Sequence, residues 1–435
     1  MRTTLWIGVL AALSVRFLCA QGGAIAIAGD WQGTLQAGPQ QLRLIVKIGK
    51  AANGGWNATL FSIDQGPDWG AGMAANSVTL QGSTVKISVD MVRGTYEGKL
   101  SADGASLDGT WSQGLPLPLQ LRRATPETAW KDPSPHTVQL VPVDQDVTLE
   151  VLDWGGSGDP LVLLAGLGNT AHIFDKFAPK LTSSHRVYGI TRRGYGISSA
   201  PPTGYSADRL GDDVLAVLGA LKLNRPVLVG HSIAGEELSS VGSRHPERVA
   251  GLVYLDAGYS YAYYDRSRGD LAIDLIELAS KLEQLQPGKG PRDLKPLIQE
   301  LLDTTLPGFE RDLREKQKEL QATPAALLAV RAMAPMPAAA RAIMAGVRKY
   351  SAMPVPVLAI YAVPHDLGPL IGNDPAARAA YEAHDEAATQ AQAKAFESGV
   401  PSARVVRLPH ADHYVFLSNE ADVLREMSAF LGSLQ

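Results

Sequence analysis

Ser232 stands in Gly230-His231-Ser232-Ile233-Ala234-Gly235, after the apolar run Val227-Leu228-Val229 and before a stretch whose Ala234, Leu238 and Val241 share one helical face. A strand, a sharp turn and a helix are the setting that lifts a serine oxygen above a sheet. Gly230 and Ala234 are small enough for that turn, with Gly235 one place after the position where the pattern usually has its second glycine. A helix N-terminus also favours the negative charge that develops when a serine attacks a carbonyl, and Glu236 and Glu237 in the first turn suit the same dipole. The hydroxyl needs a base to take its proton. Of nine histidines, His413 follows the last strand candidate, Arg404 to Leu408, and His410 is the second choice. The carboxylate that orients the base is expected at Asp366, which follows the run Val357 to Tyr361 in the same way. Asp256, at the end of the preceding run, is the alternative acid, or else a cap on the turn that follows it. The chain order is then Ser, Asp, His. Such a set performs acyl transfer: Ser232 attacks, His413 takes and returns the proton, and Asp366 holds the imidazole and stabilises its cation.

These side chains need a sheet to bring them to one edge. Leu161 to Leu164, Val187 to Ile190, Val227 to Val229, Leu252 to Leu255 and Val357 to Ile360 are apolar throughout, as strands covered on both faces must be. Val138 to Val141 and Val147 to Leu152 alternate instead and read as an antiparallel lead-in. Between the runs ending at Leu255 and starting at Val357, residues 270–285, 294–302, 309–320 and 325–333 have helical spacing. A helical insertion there, over 257–354, predicts a lid above the strand ends.

The rest of the chain is organised differently. Its 435 residues are 45% apolar and 19% charged with a net charge of -4, which excludes a mainly disordered chain and gives no basic footprint for nucleic acid. Met1 to Ala20 combines Arg2, the apolar stretch Leu5 to Val15 and a small residue at Ala20, the plan of a secretory signal and too short to span a bilayer comfortably. Cleavage there predicts a secreted or periplasmic protein with no membrane span, and it removes Cys19, the single cysteine. Residues 28–123 alternate apolar and polar between Gly-containing turns, which predicts a small all-β domain, a sandwich or an up-and-down barrel. Trp31, Trp56, Trp69 and Trp111 read as core or, less simply, as a ligand platform, and none of its residues is a candidate for catalysis. The unit is expected to bind a ligand or to pack on the catalytic part. Residues 124–136, with Pro126, Pro133 and Pro135, read as a linker.

Leu163 to Asn169, Arg193-Gly194-Tyr195-Gly196-Ile197-Ser198, Gly230 to Gly235 and His413 to Leu417 occur in this order, and over 137–435 the chain resembles the lid-bearing serine hydrolases of the α/β-hydrolase superfamily. The resemblance implies an α/β-hydrolase sheet, no cofactor and no metal, and an oxyanion hole made by the amides of Leu167 and Ile233. Ala165 stands where the family usually has histidine. The expected activity is a serine esterase acting on a small-molecule acyl substrate, with Tyr259, Tyr261 and Tyr263 as pocket residues at the start of the lid. Three alternatives compete. Gly166-Leu167-Gly168-Asn169-Thr170-Ala171 with Arg192-Arg193 fits a loose dinucleotide loop of an NADP-dependent oxidoreductase. His365-Asp366 and His410 to His413 suggest a zinc hydrolase without a second ligand cluster. A catalytically silent receptor on the same fold is the third.

Overall fold

A computed structural model describes residues 27–37, 40–51, 54–62, 73–125, 136–322, 338–366 and 375–434. The expected leader with Cys19, Trp69, the three linker prolines and the helical spacing at 325–333 lie outside the described residues.

The first unit contains β1 (Gly29–Ala37), β2 (Gln40–Lys50), β3 (Trp56–Ser62), β4 (Met73–Ala74), β5 (Ser77–Gln81), β6 (Thr84–Val89), β7 (Gly94–Leu100), β8 (Ser106–Gln113) and β9 (Leu115–Arg123). They form one antiparallel sheet in the order β4-β3-β2-β1-β9-β8-β7-β6-β5. Its two ends belong to one stretch of chain. β4 pairs with β3 and β5 with β6, while the Ala75 amide donates to Ala58 O at 2.9 Å and the Asn76 amide to Ser88 O at 2.8 Å. The sheet therefore curls back on itself, which favours the barrel over the two-layered sandwich. Period-two alternation turns Leu42, Leu44, Val46 and Ile48, and Val85, Ile87 and Val89, into the core. Trp31 and Trp111 are buried with them, and Trp31 Nε1 donates to Ile27 O at 2.9 Å. Tyr96 donates its phenol to Leu107 O at 2.9 Å, and a Cβ at Gly98 would lie 2.4 Å from Tyr96 Oη. Glycine at that position makes room for a ring.

The second sheet contains β10 (Thr137–Asp144), β11 (Val147–Gly155), β12 (Pro160–Leu164), β13 (Arg186–Ile190), β14 (Val227–His231), β15 (Gly251–Leu255), β16 (Val357–Ala362) and β17 (Ala403–Leu408), in the order β10-β11-β13-β12-β14-β15-β16-β17. β10–β11 and β11–β13 are antiparallel and the remaining pairs are parallel. Val162, Leu164, Leu228 and Tyr254 enter the core on one face, under α1 (Ala207–Ala220) and α2 (Ala234–Arg244). Leu161, Leu163, Val227, Val229, Val253 and Leu255 enter the core on the other, with Phe416, Met427 and Phe430. Burial on both faces is what the unbroken apolar runs require. Between β15 and β16 the chain forms α3 (Leu271–Gln284), α4 (Lys295–Glu300), a π turn at Leu301–Thr305, α5 (Leu306–Ala322) and α6 (Ala338–Ala345). Asp270 starts α3 by accepting from the amides of Ala272 and Ile273 at 3.0 and 3.1 Å.

Candidate active site

Four parallel strands end at one edge of the second sheet, and each delivers a candidate group. β14 delivers Ser232, whose φ of 53° lies in the left-handed region that non-glycine residues avoid. The Ser232 amide still bonds across to Leu255 O of β15 at 3.3 Å, and the Gly235 amide closes the turn onto Ser232 O at 2.9 Å. Ile233 follows directly and opens α2. The loop after β12 is pressed onto this turn: a Cβ at Gly166 would lie 2.8 Å from His231 Nδ1 and 3.1 Å from Ser232 Cβ. Leu167, next to Gly166, packs with Ile233 and Tyr195. Arg192 holds the same loop by donating from Nη2 to Ala165 O at 2.8 Å while its Nε pairs with Glu237 of α2.

β17 leads to His413, and β15 leads to Asp256. His413 Nδ1 lies 2.6 Å from Asp256 Oδ2. Against a carboxylate that nitrogen is the donor, which leaves Nε2 with the acceptor lone pair a base requires. The Asp256 side chain is 0% exposed and that of His413 39%, so the carboxylate is shielded while the imidazole reaches solvent. The neighbouring His231 ring lies 4.7 Å from the His413 ring, and His231 Nε2 donates to His413 O at 3.0 Å. Burial, reinforced by His413, lowers the His231 pKa to about 3, so it stays neutral.

Asp256 also accepts from Tyr259 Oη at 2.9 Å, the Ala362 amide at 3.1 Å and His365 Nε2 at 2.8 Å. Burial alone would raise its pKa, but the bonds from His365 and His413 hold it well below the usual carboxylate range. His365 Nδ1 meets Asp385 Oδ2 at 2.9 Å. Burial opposes its charge, yet Asp256 and Asp385 together raise its pKa to about 10. His365 is therefore an imidazolium clamped between two carboxylates. Glu236, one turn along α2, is buried with neither carboxyl oxygen hydrogen-bonded among the described residues. Burial, then Glu237, push its pKa well above the usual value. Its first-turn position on α2 is thus turned into the interior.

The structure thus brings Ser232, His413 and Asp256 to one edge and corrects the expectation of Asp366 as the acid. Asp366 is exposed, and its amide bonds to Ala411 O at 2.8 Å. His365 bridges to Ala411 in extended conformation. Alternation along extended chain then turns His365 toward Asp256 and the next side chain away. His410 lies exposed in the preceding turn. Of the three tyrosines, Tyr259 holds Asp256 and Tyr261 interacts with Ser232. Tyr263 packs instead on Phe396, with ring centroids 5.8 Å apart. Arg192 and Arg193, the pair a dinucleotide phosphate would need, are committed to Glu237 and Asp213 in buried ion pairs. Sequence reasoning missed His365, Asp385 and Arg192 as supports of the site. For His365 and Arg192 the only signal was a titratable residue close behind a strand; Asp385, inside the helix Pro375–Gly399, had none.

The family model described as the Alpha/beta hydrolase family matches residues 161–426. That is more than half of the chain, and the chain belongs to this family. Over 110 residues it is 27% identical to a 2-(acetamidomethylene)succinate hydrolase of Mesorhizobium japonicum, covering 25% of this chain and 39% of the relative. Over 125 residues it is 32% identical to a fluoroacetate dehalogenase of Burkholderia sp, covering 28% of this chain and 41% of the relative. The chain thus spans under half the length of these curated relatives. The crystal structure of an E-2-(acetamidomethylene)succinate hydrolase is similar over 68% of this chain and 99% of that one, at 22% identity and a TM-score of 0.41.

Proposed function

We propose that this protein is a serine hydrolase that cleaves a carboxylic ester, or a related acyl bond, through an acyl-enzyme on Ser232. The observation that carries this reading is the 2.6 Å bond between His413 Nδ1 and buried Asp256, beside a serine held at positive φ on a strand-to-helix turn. Asp256 fixes the tautomer that leaves His413 Nε2 free to accept the Ser232 proton. His413 then returns that proton to the leaving alcohol, and water repeats the cycle in reverse to release the acid. The amides of Leu167 and Ile233 are proposed as the oxyanion hole, a term worth about 3 kcal/mol per donor. A serine at the turn argues against the alkyl-enzyme esters that a carboxylate nucleophile forms.

Tyr261, beside Ser232, is the lid tyrosine best placed to meet an acyl group. The leader-like pattern of residues 1–20 supports export, and N-terminal sequencing of the mature protein tests that. The activity is tested with aryl esters on the wild type, Ser232→Ala and His413→Ala. Turnover in the wild type, lost in both variants, is expected. Turnover retained in Ser232→Ala contradicts the assignment, and one covalent event without release favours the receptor reading.

A further inference from the structure

A second cluster lies apart from the reaction centre. We propose that His136, His172 and Asp175 form a site for one divalent transition-metal ion, zinc by donor type. His136 immediately precedes β10. His172 lies in the 3-10 turn Ala171–Phe174, and Asp175 follows it three places later on the same side. Both come shortly after the loop that carries Leu167.

In this structure the donors meet as hydrogen-bonding partners, at a spacing close to that of a coordination sphere. Asp175 Oδ1 lies 3.1 Å from His136 Nδ1, and Asp175 Oδ2 lies 3.2 Å from His172 Nδ1. One donor atom from each of the three lies within 4.8 Å of the other two. Nitrogen and oxygen ligands at roughly 2.0–2.2 Å from a tetrahedral zinc ion are themselves about 3.3 Å apart. The other mixed cluster behaves differently. His413 and His365 approach a single oxygen of Asp256 at 2.6 and 2.8 Å, closer than two ligands of one zinc ion stand to each other.

A second observation concerns the far side of His172. Its Nε2 lies 3.3 Å from Glu150 Oε1, and the other oxygen of Glu150 accepts from Thr191 Oγ1. With Nδ1 on a metal, Nε2–H donates to Glu150, the carboxylate–histidine–metal arrangement that fixes a ligating ring. The charges agree with this. Side chains of Glu150 and Asp175 are only 5% and 21% exposed, and among the described residues their ion-pair partners are the histidines. Neutral imidazoles would leave one buried and one half-buried negative charge, which a divalent cation offsets. The ion would clasp the start of β10 to the turn behind the Leu167 loop.

The test uses the full chain stripped with a chelator and titrated separately with Zn²⁺ and Co²⁺. Expected are a single ion per chain, a visible Co²⁺ absorption of tetrahedral intensity and a Tm that rises with Zn²⁺ concentration. His172→Gln and Asp175→Asn should abolish binding, Glu150→Gln should weaken it by about 10–100-fold, and His365→Gln should leave it intact. Asp175→Asn is nearly isosteric and keeps the result readable if His172→Gln unfolds. Natively folded stripped protein that binds no ion overturns the proposal. So does binding that survives Asp175→Asn, or binding that is lost in His365→Gln.

Discussion

Asp256 receives hydrogen bonds from Tyr259, His365, His413 and the Ala362 amide, so its charge is fixed before any substrate arrives. Preorganised acceptors of this kind act through orientation: with the carboxylate replaced by an amide, His413 loses its preferred tautomer. Asp256→Asn is expected to lower kcat by about 10⁴-fold, whereas Asp366→Asn should leave it near the wild-type value. Comparison of the two in the ester assay decides which acid serves the base. His365 gives a second prediction, on stability. Its pKa is raised to about 10 from an ordinary 6.5, so the folded state holds a proton that the unfolded chain releases. That contribution is complete below about pH 6.5 and is lost as pH rises toward 10. Tm should therefore fall across this window, and His365→Gln should flatten the fall; an unchanged slope contradicts the clamped imidazolium. Ser232 and His413 were legible in the sequence because chain order and the glycine-flanked turn single them out. The acid was not, since Asp256 and Asp366 both follow strands, and only the extended register at His365 decides which faces inward.

Among the elements, the loop 165–168 is held closely against the Ser232 turn. A Cβ at Gly166 would contact His231 and Ser232 together, so Gly166→Ala must push the loop off the turn. A drop of about 10²-fold in kcat is expected, the size of a lost oxyanion donor, with little change in far-ultraviolet circular dichroism. Unchanged kcat would argue that Leu167 is not a donor. The central strands β12 to β16 were readable as unbroken apolar runs, and helices α3 and α5 as 3.6-residue spacing. The supports between elements were not. Arg192 reaches from the end of β13 to both the loop and α2, a relation that no local pattern encodes.

At the scale of the molecule, every candidate catalytic residue lies in the second sheet, its loops or its lid, and the first unit closes its own core around Trp31 and Tyr96. A chain beginning at residue 124 is therefore expected to fold and to retain ester turnover. Loss of turnover in a soluble, folded truncation would show that residues 28–123 contribute to the site. Alternation foretold the β character of the first unit. How its sheet closes was hidden, because a strand that changes partners within residues 73–81 leaves the alternation intact. The central claim concerns one oxygen atom. Reaction with a fluorophosphonate followed by peptide mass mapping should place a single adduct on Ser232 and none in Ser232→Ala. An adduct on another residue, or no adduct from protein that hydrolyses esters, would contradict the account.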